Sequence, residues 1–253
     1  MGLMITVSQA LTTNKRQWED LGQVDPFWGM TGTNRFGGWD VEAFLQTGED
    51  QVAQIMQQIE HWDRPSHWST VLDFGCGVGR LAAAFRRRFE HYVGLDISES
   101  LIAKARQIHA TLPCADFVVS ASDTLPIASN SCDMVYCWGV LQHVRNRARA
   151  LRYIAEFVRV MKPDGLLIFS TLDTIKPLYR LQPRRRAYAL LRTVGVPPAI
   201  LYHRLKLYPH EVHALPETYV LERMQDSGAR ILHIQKDSPP SAPHQWQTYY
   251  VTK

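Results

Sequence analysis

In Val71-Leu72-Asp73-Phe74-Gly75-Cys76-Gly77-Val78-Gly79-Arg80, an apolar strand runs into a G-x-G-x-G turn and then into the helix-forming stretch Leu81-Ala82-Ala83-Ala84-Phe85. A strand of this kind can be buried on both faces, and its glycines accept backbone angles and close ligand approach that a side chain would obstruct. The helix that follows directs its first amides at whatever lies in the turn. This is the corner of a nucleotide site. A dinucleotide fingerprint needs its third glycine at position 80, where Arg80 stands, so the G-x-G-x-x-G pattern of nicotinamide or flavin binding is not met. The spacing favours a different nucleoside.

From Thr70 onward, short β-branched or apolar runs alternate with helical patterns, which predicts parallel strands joined by right-handed crossovers. Strands are expected at 70–74, 91–96, 115–120, 132–137 and 165–171, with a further pair at 230–236 and 246–252. Leu101, Ile102, Ala105 and Ile108 form the buried stripe of one intervening helix, and Leu151, Ile154, Val158 and Met161 that of another. Lys162-Pro163-Asp164-Gly165 stops the latter and turns the chain into strand five. Helical spacing also marks 15–30 and 49–62 as amphipathic cap helices, and Val220, Leu221 and Met224 lie on a helix that ends at Gly228.

The strand-turn-helix motif resembles the first motif of class I S-adenosylmethionine-dependent methyltransferases. Further motifs resemble that family in its order. Val93-Gly94-Leu95-Asp96-Ile97-Ser98 is similar to its second strand with a terminal acid, and Ala121-Ser122-Asp123-Thr124-Leu125-Pro126-Ile127 to its adenine loop. Cys132 to Val144, including Trp138 and His143, and Arg159 to Gly165 complete the set. The resemblance implies a Rossmann-like α/β fold: a seven-stranded, mostly parallel sheet whose antiparallel last strand is inserted between five and six. A single domain is expected, with a helical cap over 1–62, a core over 63–173 and 216–253, and a helical lid inserted at 174–215. Trp18, Glu19 and Asp25 to Trp28 resemble the caps of bacterial natural-product and lipid-quinone members, which close over the methionine end of the cofactor.

S-adenosylmethionine is therefore the expected cofactor, held by Asp73, Gly75, Cys76, Gly77, Gly79, Asp96, Ile97, Ser122, Asp123, Thr124, Leu125 and Trp138. Backbone amides of the glycine loop suit its carboxylate. Asp96 suits the ribose, because an ionised carboxylate accepts both hydroxyl hydrogens, while Ser98 stands closer to the helix start and can cap it. Asp123 occupies the position where the family reads adenine, with Leu125 or Ile97 on the ring; its other reading is a turn residue bonding its own backbone. Asp73 either braces the glycine loop or reaches the ammonium through water.

His143 is the candidate base, since an imidazole near its unperturbed pKa of about 6.5 can take a proton at neutral pH; the alternative is that it fixes the loop. Asp173 is the second catalytic candidate, orienting His143 or a substrate hydroxyl, or else capping Thr174 onward. The expected acceptor is a small molecule, most plainly through a hydroxyl oxygen. Cys137-Trp138-Gly139-Val140 stands where an N-P-P-Y or D-P-P-Y tetrapeptide would argue for methylation of bases, which disfavours nucleic acid. A non-catalytic S-adenosylmethionine-binding scaffold, or a protein methyltransferase, are the rival readings.

A formal charge of +4 is too small to argue for nucleic acid by itself. The four cysteines show no C-x-x-C spacing, which predicts reduced thiols in a cytoplasmic protein with neither disulfide nor zinc. With no apolar run of about 18 residues, and no charged segment followed by a hydrophobic one at its start, neither a spanning helix nor a secretion signal is expected. Met1-Gly2 with Thr6 matches a myristoylation pattern, of a kind that arises often by chance. In the lid, the Arg184 to Arg186 run reads as a solvated helix start, with an anionic substrate or membrane surface as alternatives. His210-Glu211-Val212-His213 spaces two histidines like a helical metal pair but lacks the H-E-x-x-H frame, and no metal is expected.

Overall fold

A computed structural model describes residues 7–30 and 37–253, with side chains from position 14 onward, so the Met1-Gly2 pattern lies outside the described residues. Seven strands form one sheet: β1 Thr70–Phe74, β2 His91–Asp96, β3 Ala115–Val119, β4 Cys132–Cys137, β5 Met161–Ile175, β6 Arg230–Lys236 and β7 His244–Thr252. Their order is β3-β2-β1-β4-β5-β7-β6, with β7 antiparallel to both of its neighbours and the other pairs parallel. The expected insertion of the last strand between five and six is thus observed. β5 and β7 run longer than predicted because they pair as far as Ile175 opposite His244, beyond the apolar stretch that marked strand five.

The strands carry apolar residues on both faces because helices cover both. All six residues of β4 are buried. On one face, Val135, Cys137, Leu167 and Phe169 pack with Ile154 and Phe157 of α5 (Arg147–Val160) and Met224 of α8 (Glu217–Asp226). On the other, Val71, Tyr92, Met134 and Ile168 meet α2 (Val41–Ile59), α3 (Ala82–Arg86) and α4 (Glu99–Ile108) through Ile55, Phe85 and Ile102. Each such side chain contributes about 1.5–3 kcal/mol through burial.

The turn into β5 works differently from the expectation. Asp164, not Gly165, takes the left-handed backbone (φ 58). Gly165 is required by close approach: a Cβ there would lie 2.8 Å from Met161 Cγ and 2.9 Å from the Asp133 carbonyl oxygen. The buried Asp133 carboxylate holds this junction, accepting from Lys162 Nζ at 2.8 Å and from the Thr70 amide at 2.8 Å.

The cap helices frame the sheet's carboxyl end. In α1 (Val7–Val24), Glu19 reaches across to accept from Ser98 Oγ at 2.8 Å and the Ser100 amide at 3.1 Å, anchoring α1 on the start of α4. Asp40 caps α2, its carboxylate accepting from the Ala43 amide at 3.1 Å. Asp40→Ala should lower stability by about 1 kcal/mol, read as a reduced urea midpoint at unchanged slope.

Between β5 and α8 the chain forms a 3-10 turn (Pro177–Leu181), α6 (Pro183–Thr193) and α7 (Pro198–His203), divided at Pro197-Pro198 as expected. These pack on α1: Tyr188, Leu201 and Tyr202 join Leu21 and Trp28, and Arg192 pairs with Asp20 at 3.0 Å. His210 to His213 lie outside any helix or strand, so the helical spacing supposed for the two histidines does not exist. Cys76, Cys132 and Cys137 are buried and Cys114 exposed, all as free thiols. Among the described residues, no helix is long and apolar enough to cross a membrane.

Candidate active site

The sheet order reverses between β1 and β4, and ligands in open α/β sheets bind outside the strand ends at such a point. A cavity of about 550 Å³ opens there. It is lined by Asp73, Gly75, Cys76, Asp96, Ile97, Trp138 and His143 of the residues expected in the site. Gly77, Gly79, Ser122, Asp123, Thr124, Leu125 and Asp173 are outside its lining.

All three glycines of the corner have positive φ, at 79°, 55° and 77° for Gly75, Gly77 and Gly79. The backbone turns tightly enough that most of its amides are used internally. Those of Gly75 and Cys76 donate to the Leu95 carbonyl, that of Gly79 to the Cys76 carbonyl, and that of Gly77 to Asp96 Oδ2. A Cβ on Gly79 would lie 2.8 Å from Phe117 and 2.9 Å from His109. Gly79 thus serves packing against β3 and α4. The supply of amides expected at the loop is correspondingly smaller, and the helix start lies at Leu81, one turn on.

Ser98 caps α4 as expected, accepting from the Leu101 amide at 3.2 Å. Asp96 is nonetheless engaged: its two oxygens accept from the Gly77 and Ser98 amides, each at 2.9 Å. That leaves lone pairs for a ligand, since a carboxylate offers about four acceptor positions. Burial raises its pKa to about 6, with the backbone hydrogen bonds opposing.

Behind the corner, Asp73 accepts from the Tyr92 hydroxyl at 2.7 Å. Burial raises its pKa to about 7, against that hydrogen bond and the nearby Arg80 charge. Arg80, which ruled out the dinucleotide pattern, is largely buried on the cavity wall. It ties the corner to α2, donating to the Thr47 carbonyl at 3.1 Å and to Gln51. Gln51 in turn hydrogen-bonds the Tyr136 hydroxyl at 2.5 Å.

The predicted adenine loop is turned elsewhere. Asp123 sits between Arg149 Nε at 2.6 Å and Arg152 Nη2 at 2.7 Å, and the Leu125 amide donates to Glu156 at 2.8 Å. Ser120, at the end of β3, lines the cavity instead, together with Asn146, Arg149 and Tyr153. Asp173 accepts from the Glu217 amide at 2.8 Å at the start of α8, so its capping alternative is the one observed, on a different helix from the one supposed.

His143 follows β4 in a short 3-10 turn (Leu141–His143). Its Nδ1 lies 3.0 Å from the Glu211 carbonyl oxygen. A carbonyl only accepts, so Nδ1 carries the hydrogen and Nε2 the lone pair. Trp18 packs edge-on against the ring at 5.2 Å between centroids, and His210 does so at 5.7 Å. Burial lowers the His143 pKa to about 4, assisted by the charges of Arg185 and His213 and opposed by the Glu211 bond. The imidazole is thus neutral throughout the physiological range. The wall residues missed from the sequence, Trp18, Gln51, Arg80, Tyr136 and Arg149, come from five separate elements. Only Trp18 carried a signal, as part of the cap motif.

A family model described as a methyltransferase domain matches residues 72–169. A ubiquinone biosynthesis O-methyltransferase of Neisseria meningitidis is 37% identical over 108 residues, which are 41% of this chain and 44% of that protein. A malonyl-(acyl-carrier protein) O-methyltransferase of Methylovorus is 36% identical over 125 residues, 43% of this chain and 39% of that one. The chain therefore spans less than half the length of these curated relatives. Among solved structures, magnesium protoporphyrin IX methyltransferase from Synechocystis with bound SAH superposes with a TM-score of 0.60 at 18% identity, covering 96% of this chain and 100% of that one. An S-adenosylmethionine-dependent methyltransferase of Leishmania major gives 0.64 at 12% identity, over 100% and 87%. At those identities the likeness concerns the fold. Residues 72–169, which contain the glycine corner, Asp96 and His143, thus match a methyltransferase domain.

Proposed function

We propose that this protein transfers a methyl group from S-adenosylmethionine to a hydroxyl oxygen of a small molecule, with His143 as the base. The observation that carries the reading is one continuous cavity bordered by both the glycine corner with Asp96 and a neutral, tautomer-fixed imidazole. The donor fits the residues present: Asp96 keeps acceptor capacity for a ribose diol, Ile97 and Leu101 offer apolar surface, and the cavity volume suits a nucleoside with a small partner. Bound S-adenosylmethionine supplies an electrophilic methyl on a cationic sulfonium.

The protein's share is alignment and exclusion of water. Positioning of this kind contributes about 7–11 kcal/mol. Trp18 and His210 shield one side of His143, leaving Nε2 to take the acceptor's proton. With a pKa of about 4 the imidazole is a weak base, which suits a phenol or an enol better than an aliphatic alcohol. The curated relatives are both O-methyltransferases, which supports oxygen. Four free thiols support a cytoplasmic site of action.

The test is calorimetric titration with S-adenosylmethionine, followed by incubation with phenolic, amine, peptide and DNA acceptors. S-adenosylhomocysteine should form with phenols. Release only with peptide or DNA would replace the small-molecule reading, and binding without any product would leave a scaffold.

A further inference from the structure

Between Thr174 and His210 the chain contains eight lysines and arginines and no aspartate or glutamate, although the whole protein carries only +4. The same stretch holds seven of the eleven strongly exposed large apolar residues among those described. Leu178 is 73% exposed, Leu181 53%, Leu190 66% and Val194 70%. Soluble surfaces tolerate scattered apolar side chains, but so many in one short insertion mark an interaction site.

Charge and apolar groups share one side. Arg186 and Leu190 follow at i and i+4 along α6, where such spacing puts side chains in one row, and Val194 is the C-cap residue that follows the helix. Tyr188, between them in sequence, points the other way and is 2% exposed against α1. Among the eight cations, Arg192 pairs with Asp20, Arg185 turns toward Tyr208 and Gln182, and Lys176 and Arg180 donate to the backbone carbonyls of Ser241 and Ile175. Arg184, Arg186 and Arg204 are exposed.

We propose that this insertion docks on the surface of an anionic lipid bilayer, with Leu178, Leu181, Leu190 and Val194 entering the headgroup layer while the exposed arginines and lysines meet lipid phosphates. The pairing of exposed apolar side chains with a segment of one charge sign selects this occupant. A second copy of the chain would set cations against cations. A nucleic acid backbone would leave the leucines in water. The surface also adjoins the cavity: Gln182, at the start of α6, exchanges hydrogen bonds with the backbone of Val212, at 2.8 and 3.0 Å, and Val212 lines the cavity. An acceptor dissolved in the membrane would thus have a short route to His143.

The test is co-sedimentation of the full chain with vesicles of phosphatidylcholine alone and of phosphatidylcholine mixed with phosphatidylglycerol. Binding should be confined to the mixed vesicles and should collapse near 1 M salt, where the screening length is about 3 Å. Reversing two exposed charges together, Arg184→Glu with Arg186→Glu, should weaken it at least ~10-fold. Leu190→Asn should weaken it several-fold at low salt, at unchanged melting temperature. Equal binding to neutral vesicles, no binding to either kind, full binding by the charge-reversed variant, or sedimentation without vesicles through self-association would each overturn the proposal.

Discussion

Asp96→Asn should weaken S-adenosylmethionine binding by ~100-fold, because charge-assisted hydrogen bonds contribute about 1.5–3 kcal/mol each and the amide loses the charge and one acceptor oxygen. It also gives up one of the two backbone contacts, at Gly77 or Ser98, that hold the corner against β2. The pH dependence follows from burial, which raises the carboxyl to about 6. A ribose diol donates to the ionised form, so affinity is full above pH 6 and falls about tenfold per unit below it. Asp73, near 7, titrates in the same region but is bonded to Tyr92, so the dependence that disappears in Asp96→Asn belongs to Asp96. Calorimetric titration on either side of pH 6 measures both effects. Equal affinity in the variant, or a wild-type affinity flat through pH 6, would remove Asp96 from donor binding.

His143→Ala should lower kcat at least ~100-fold on a phenolic acceptor, the usual contribution of a general base, with donor affinity within a few-fold of wild type. His143→Gln separates chemistry from structure: its amide can still donate to the Glu211 carbonyl, 3.0 Å from Nδ1 in the native site, but cannot take a proton. Recovery of turnover by the glutamine would show that the histidine only fixes the loop. Because the imidazole protonates near 4, kcat should hold its plateau to about pH 5, while kcat/KM for the donor declines from pH 6 with Asp96. A kcat that halves near about 6.5 would mean an ordinary, solvated histidine.

The same shifts act on stability with opposite signs. Between about 4 and about 6.5 an unfolded chain protonates His143 and the native state does not, so this residue lowers stability as pH falls through that window. Asp73 and Asp96 hold protons in the native state up to about 7 and about 6, so they raise stability on acidification. Acid-induced loss should therefore be partly offset, more so without donor than with it.

Local chemistry explains which parts of the site were legible. Asp96 and Ser98 sit two residues apart, and their division of labour between cavity wall and helix cap follows from backbone geometry within one turn. His143 is placed by the same short connection that ends β4. Asp123 and Asp173 are carboxylates in equally suggestive positions, but their destinations depend on distant partners: Arg149 and Arg152 on α5, and the amide of Glu217, 44 residues away. No periodicity reports which arginine will stand opposite a loop. Arg80 shows the converse, a residue valued for the motif it broke that turns out to clamp the corner to α2 through Thr47 and Gln51.

The positions of the strands, their burial on both faces and the place of the glycine corner were determined by the sequence alone, because apolar runs and turn residues act over a few neighbours at a time, while the order of the strands was implied by the family resemblance. Only the tertiary structure decided which carboxylates face the cavity, which tautomer His143 adopts and how strongly burial suppresses its charge. Those properties depend on desolvation and on partners from remote segments, and both exist only once the chain has closed around them.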